Sequence, residues 1–330
     1  MQIYPWQKKI WKNLIRQYDA HRLPKALILS GKTGIGKFDL AYALTHVLLC
    51  NTSKKQASCI CASCRLLDSH NHPDCYILEP ENNVIKIDQI RTLIEYVSQT
   101  PKIAHRQVVI IQCAEKMNNA ARNALLKTLE EPLGDVIFLL TSAKSHQLPL
   151  TILSRCQHVP CIVEEEAVGL AWLSEHISDP SMVERLWRIA NAAPLRALQL
   201  FKNKYLEIRD VVLQGIQDIV QRNRLPTDIS KTVSTYNLTD VLHNWFALLM
   251  DVRQLKQGVS FDYLINYDRI QALNSIAQQL DNLAIEQCYT TLLDAMGAEH
   301  ANLKLNQTLI LDALWIKFKQ YSQSAENAHD

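Results

Sequence analysis

The stretch Gly31-Lys32-Thr33-Gly34-Ile35-Gly36-Lys37-Phe38 lies between an apolar run, Ala26-Leu27-Ile28-Leu29, and a segment of helical spacing, Asp39-Leu40-Ala41-Tyr42-Ala43-Leu44. The run reads as a buried strand, so the order is strand, glycine loop, helix. That order cradles phosphate, because loop N–H groups and the positive end of the helix face the anion. Gly31, Gly34, Gly36 and Lys37 are the candidate phosphate-binding residues, with Lys37 at the place of the β/γ-phosphate lysine. The pattern ends in Ser or Thr, whose hydroxyl ligates Mg²⁺; here the residue is Phe38. A phenyl ring cannot ligate a hard cation, so no Mg²⁺ site is expected. The loop either holds the phosphates of ATP or ADP weakly without metal, or is vestigial.

Working outward, Val108-Val109-Ile110-Ile111 is an unbroken β-branched run, the mark of a strand buried on both faces of a parallel sheet. In an ATPase of this layout that strand ends in two acids, one for Mg²⁺ and one to polarise water. Here it ends in Gln112-Cys113, and Glu115 lies past the strand as a poor substitute. No intrinsic ATP turnover is expected. Val136–Leu140 is a further buried strand ending at Thr141-Ser142, a polar pair read as a strand end bonded to a loop. Tyr76-Ile77-Leu78 and Val84-Ile85-Lys86-Ile87 read as short strands. Asp88 reads as the N-cap of a helix bearing Ile90, Leu93, Ile94 and Val97. Residues 6–18 and Asn118–Glu131 are amphipathic, the second stopped by Pro132. Strands separated by helices imply a doubly wound α/β domain over residues 1–162, with helices on both faces of a parallel sheet.

Between the first helix and the next strands lies Cys59-Ile60-Cys61-Ala62-Ser63-Cys64, with Cys50 upstream. The start, Met1-Gln2-Ile3-Tyr4-Pro5-Trp6, lacks the apolar segment of a signal peptide, and no apolar run reaches membrane-spanning length, so a cytoplasmic chain is expected. Thiols stay reduced there, and the odd total of nine cysteines argues against a disulfide framework. Cys50, Cys59, Cys61 and Cys64 therefore read as a structural Zn²⁺ site, in a module of about residues 50–75. Cys59-x-Cys61 is tighter than the usual two-residue gap, so Cys75, His70 or His72 are alternatives to Cys59. Scattered free thiols are the competing reading.

The formal net charge is only +2, with 48% hydrophobic and 21% charged residues, an ordinary globular composition. Near-neutral charge and an absent basic patch oppose a stand-alone zinc-bearing DNA-binding module. Beyond residue 162 everything reads as helical. Residues 163–205 hold three short helices punctuated by Pro180 and Pro194, and 206–330 carry apolar stripes including Ile208/Val212/Ile216/Ile219, Val241/Trp245/Leu249, Leu292/Leu293/Met296 and Leu309/Ile310/Ala313/Leu314. The tail from Ser322 is polar and reads as disordered.

The glycine loop, the cysteine cluster, the block Asn123-Ala124-Leu125-Leu126-Lys127-Thr128-Leu129-Glu130-Glu131-Pro132 and Ser154-Arg155-Cys156, in this order, resemble bacterial clamp-loader subunits of the AAA+ class. The resemblance implies an AAA+ core with a zinc-binding insertion, a three-helix lid and an all-α collar that oligomerises. It implies gamma/tau and delta subunits as partners, with the sliding clamp and primed DNA reached through the complex. That complex is part of a DNA-directed DNA polymerase holoenzyme, a nucleotidyltransferase. In the family, gamma/tau is the ATPase; this chain departs from it at Phe38, at Gln112-Cys113 and at Leu195, where the lid arginine belongs and Arg196 stands one step off. The resemblance further implies that Arg155, flanked by Ser154 and Cys156, faces a neighbour's nucleotide as an arginine finger. An active gamma/tau-type ATPase is the alternative reading.

Overall fold

The computed structural model describes residues 3–52, 59, 61–131, 134–300 and 306–324. Helix α1 (Lys8–Asp19) leads into strand β1 (Ala26–Ser30), and the glycine loop opens α2 (Lys37–Leu49). Then come α3 (Ala62–Asp68), β2 (Cys75–Leu78), α4 (Ile87–Val97), β3 (Gln107–Ile111), α5 (Asn119–Glu130), β4 (Val136–Ser142), α6 (Leu150–Leu153) and β5 (Gln157–Pro160). The five strands pair in the order β2-β3-β4-β1-β5, every pair parallel.

Alternation along the strands builds a core on each face, because successive side chains point to opposite sides. Ile28, Val109, Ile111, Phe138 and Leu140 pack with Ile90 and Leu93 of α4 and Leu125 of α5. Leu27, Leu29, Val108, Ile110 and Leu139 pack on the other side with Leu14 of α1 and Leu40, Leu44 and Leu48 of α2. The central strands β1, β3 and β4 read as near-continuous apolar runs because neither face meets water.

The helices continue as α7 (Glu166–Ser174), α8 (Pro180–Ile189), α9 (Pro194–Lys202), α10 (Tyr205–Val220), α11 (Pro226–Val233), α12 (Leu238–Lys256), α13 (Ile270–Gln279), α14 (Asn282–His300) and α15 (Gln307–Ser324). The described chain divides into two compact units. One runs to Ser178 and takes in Ala192–Arg196; the other holds Asp179–Asn191 and the described residues from Ala197 onward. The second has its own core, in which Trp245 stacks on Trp315 with ring centroids 3.8 Å apart.

Several expectations need correction. Val84–Ile87 is not a strand: Val84 and Ile85 make isolated bridges to Glu81 and Met117, and Ile87 already belongs to α4. Lys86 holds the N-cap position, its N–H donating to the Gln89 side chain at 3.0 Å, which puts Asp88 inside the first turn. β5 was not anticipated, since Gln157-His158-Val159-Pro160 is polar and ends in proline, as an edge strand tolerates. On α15 the buried residues are Leu311, Leu314, Trp315 and Phe318, while Leu309 and, on α14, Leu293 are exposed. A basic stripe does exist: Lys8, Lys9, Lys12 and Arg16 are exposed on α1, Lys9 pairing with Glu164. Ser322–Ser324, expected to open the disordered tail, belong to α15; Pro132 and the tail from residue 325 lie outside the described residues. No described helix is long and apolar enough to cross a membrane.

Candidate functional site

The glycine loop is clamped by its own chain. Gly36 takes φ +79°, and a Cβ there would stand 2.7 Å from the Tyr4 ring. The Gln7 amide donates to the carbonyls of Gly36 (2.6 Å) and Ile35 (3.0 Å), and the Trp6 indole N–H also reaches Ile35 O at 3.0 Å. Tyr4, Trp6 and Trp172 form one aromatic cluster over this side. On the other side Gly34, at φ +83°, lies against Arg196, whose Cβ would be 2.5 Å from any added Cβ, and Leu195 N–H donates to Gly34 O at 3.0 Å. Only glycine meets both the left-handed backbone and this close approach.

Lys37 does not project into open space. Its Nζ donates to Gly31 O at 2.7 Å and Lys32 O at 2.8 Å. Burial pushes its pKa down from the ordinary value, with Cys161, Glu115 and Cys113 pulling the other way. Thr33, Gly34, Gly36, Lys37 and Leu195 line a cavity of about 220 Å³ shared with Phe38, Gln112, Cys113, Thr141 and Ser142. Phe38 turns its ring onto Tyr42, centroids 5.7 Å apart. Gln112 donates to Glu79, and the Glu115 carboxylate accepts from Ala143 N–H at 3.0 Å. Thr141 Oγ1 accepts from Cys113 N–H at 3.2 Å and Ser142 Oγ from Lys144 N–H at 3.2 Å, so both hydroxyls tie strand β4 to loops.

The structure brings Cys50, Cys59, Cys61 and Cys64 together, their sulfurs all within 4.8 Å of one another. The Cys50 Sγ distances to Cys59 and Cys61 are 3.5 and 3.9 Å. A tetrahedral Zn²⁺ with Zn–S bonds of about 2.3 Å sets sulfurs about 3.8 Å apart, so the four thiols fit such an ion. Hydrogen bonds from the Thr52 hydroxyl, then from Cys61 N–H and Cys50, bring the Cys59 thiol down to about 6, while burial pushes Cys64 up. The alternative ligands are engaged elsewhere. His72 Nδ1 accepts from Asp74 N–H at 3.0 Å and its Nε2 meets Ser63 Oγ at 2.8 Å. Ser63 in turn donates to Leu49 O at 2.6 Å, which pins the turn between Cys61 and Cys64. His70 Nδ1 bonds the Tyr42 hydroxyl, and Cys75 sits in β2, its thiol pushed by burial to about 12. The His72–Ser63–Leu49 relay was not anticipated, since nothing in the local pattern marks Ser63.

Ser154 caps α6, and Cys156 is buried in the core, which pushes its thiol to about 11. The Arg155 side chain is 31% exposed and forms an ion pair with Glu130 at the end of α5. Its Nη1 donates to Thr151 O at 2.7 Å and meets Ser154 Oγ at 3.3 Å, and its Nε is buried without a partner among the described residues. Arg155 is thus held within its own chain, though at the surface.

The sequence matches the family described as DNA polymerase III, delta subunit, over residues 6–162, and its C-terminal counterpart over 203–320. It is 32% identical over 328 residues to the DNA polymerase III subunit delta' of Pseudomonas aeruginosa, covering 96% of this chain and 97% of that one. The chain belongs to the DNA polymerase III subunit delta' family. The Escherichia coli (strain K12) delta' subunit is also 32% identical, over 334 residues, 98% of this chain and 97% of the relative. In fold, this delta' family member is similar to a gamma subunit-related protein of DNA polymerase III from Thermotoga maritima, with a TM-score of 0.50 at 17% identity, covering 94% of this chain and 99% of that one.

Proposed function

We propose that this chain is a structural subunit of a replicative DNA clamp loader, one that hydrolyses no nucleotide itself and lends Arg155 to the ATP site of a neighbouring subunit. The observation that carries the reading is at the glycine loop. Phe38, Gln112 and Cys113 stand where a metal ligand and two acids are needed, and Lys37 is engaged by the loop's own carbonyls. What remains serviceable is the part-exposed guanidinium of Arg155. A fixed cation with a planar donor fork stabilises charge building on a transferring phosphoryl group, and such a finger contributes roughly 10³–10⁵ in rate. To act in trans, Arg155 directs its uncommitted N–H groups, or exchanges Glu130, toward a phosphate.

The partners in this reading are gamma/tau and delta subunits, with the sliding clamp and primed DNA engaged through the complex. Zn²⁺ in Cys50, Cys59, Cys61 and Cys64 staples the loop after α2 and does no chemistry, because four protein ligands leave no open position. The division into core (1–162), lid (163–205) and collar (206–330) belongs to the same proposal. Reconstitution with gamma/tau and delta tests it. The isolated chain shows no Mg²⁺-dependent ATPase, and Arg155→Ala leaves assembly intact but slows ATP hydrolysis by the complex. Turnover by the isolated chain favours the gamma/tau-type ATPase instead.

A further inference from the structure

The geometry points to Glu130 as the positioning residue for Arg155, the side chain that sets the plane of the guanidinium before a neighbour's phosphate arrives; this rests on the finger reading above. Arg155 has acceptors from two elements. Thr151 O and Ser154 Oγ, both from the α6 turn, meet the same nitrogen, Nη1. Contacts at one nitrogen leave the planar group free to swing about it. Nε has no partner among the described residues. Glu130 Oε1, brought from α5, is the contact on Nη2, and a second fixed nitrogen defines the plane.

The placement of Glu130 is otherwise unfavourable. It is the last residue of α5, where the helix dipole is negative and a carboxylate is disfavoured. The Arg155 cation offsets that cost. Both partners are part-exposed, 31% and 45%, so the pair contributes little to stability. Its consequence is orientation. An arginine that reaches another subunit loses rate steeply when displaced by about 1 Å, because the aligned arrangement must exist before the reaction. Nη2 carries a second N–H, which can serve the incoming anion.

The test uses the full complex assembled with gamma/tau and delta, comparing Glu130→Ala, Glu130→Gln, Arg155→Ala and the Glu130→Ala/Arg155→Ala double variant. Glu130→Ala lowers kcat for ATP about 10- to 100-fold with KM little changed. Glu130→Gln, which keeps an acceptor oxygen at the same reach, recovers most of that loss. In the Arg155→Ala background Glu130→Ala has no further effect, as expected of two residues acting as one unit. If Arg155→Ala slows the complex but Glu130→Ala turns over like wild type, or faster, positioning is overturned and the finger stands. If Arg155→Ala has no effect, the finger reading fails and this inference with it. If Glu130→Gln is as slow as Glu130→Ala, or the double variant is slower than either single one, Glu130 acts other than by orienting Arg155 and the inference is overturned.

Discussion

Lys37 Nζ donates to the carbonyl of Gly31 at 2.7 Å, six residues back along the same loop. A lysine that completes a phosphate site needs those hydrogens for the ligand; here the loop satisfies its own cation. The Gln7 amide on Gly36 and Leu195 N–H on Gly34 brace the second half of the loop from two other parts of the chain.

Restoring one missing group is not expected to give catalysis. Phe38→Thr returns a hydroxyl at the metal position, yet Gln112 and Cys113 still supply no carboxylate. Mg²⁺-dependent phosphate release by the isolated Phe38→Thr chain is expected to stay at the background of the unaltered protein. Clear turnover would mean that Glu115, bonded to Ala143 N–H, takes the part of the missing acids.

The cysteine module should depend on metal. Metal analysis of protein purified without chelator is expected to give one equivalent of zinc. Exhaustive chelation should lower stability by about 2 kcal/mol or more, roughly 5 °C in Tm, with the loop after α2 becoming the first site of proteolysis. Cys64→Ser, at the buried sulfur, should lose the metal completely.

His72 gives the module a pH dependence of predictable sign. Burial pushes its pKa below the ordinary 6.5, with Asp74 pulling it up. Unfolding therefore takes up a proton at acid pH, so the stability His72 provides is complete above about 6.5 and falls as pH drops through the folded value. Protonation also breaks the bond accepted from Asp74 N–H. Thermal melts from pH 7.5 to 5 should show wild type losing stability more steeply than His72→Gln, which starts about 1–2 kcal/mol lower.

Gly215 should resist replacement although it lies mid-helix. A Cβ there would come 2.7 Å from Ile229 Cγ2 and 2.8 Å from the Trp315 ring. Helix propensity favours Ala by about 1 kcal/mol, but overpacking against a stacked indole costs typically 1–3 kcal/mol. With contacts this short the overpacking wins, and Gly215→Ala is expected to destabilise by up to about 2 kcal/mol in denaturant unfolding. Trp315→Ala, which opens a cavity beside Trp245, should cost about 3–5 kcal/mol.

The features readable along the chain were local. The strand, loop and helix around Gly31–Lys37, the apolar runs of β1, β3 and β4 and the periodicity of the long helices follow from residue spacing, because burial on two faces or on one stripe imposes a period. The cysteine set was legible for the same reason: reduced thiols at short intervals have few other uses. Where local signal was weak, reading failed, as at Val84–Ile87, where the Gln89 side chain decides the helix start, and at the polar edge strand β5.

The sequence by itself determined which groups are present: a glycine loop followed by Phe38, a strand ending in Gln112-Cys113, four clustered thiols, and an arginine between Ser154 and Cys156. Only the tertiary structure decided how they are engaged. Gln7 meets Gly36 across 29 residues, Arg155 meets Glu130 across 25, and His72 steadies Ser63 across nine. No periodicity encodes such pairs, because each forms only where packed elements from distant parts of the chain bring a donor and an acceptor to one place.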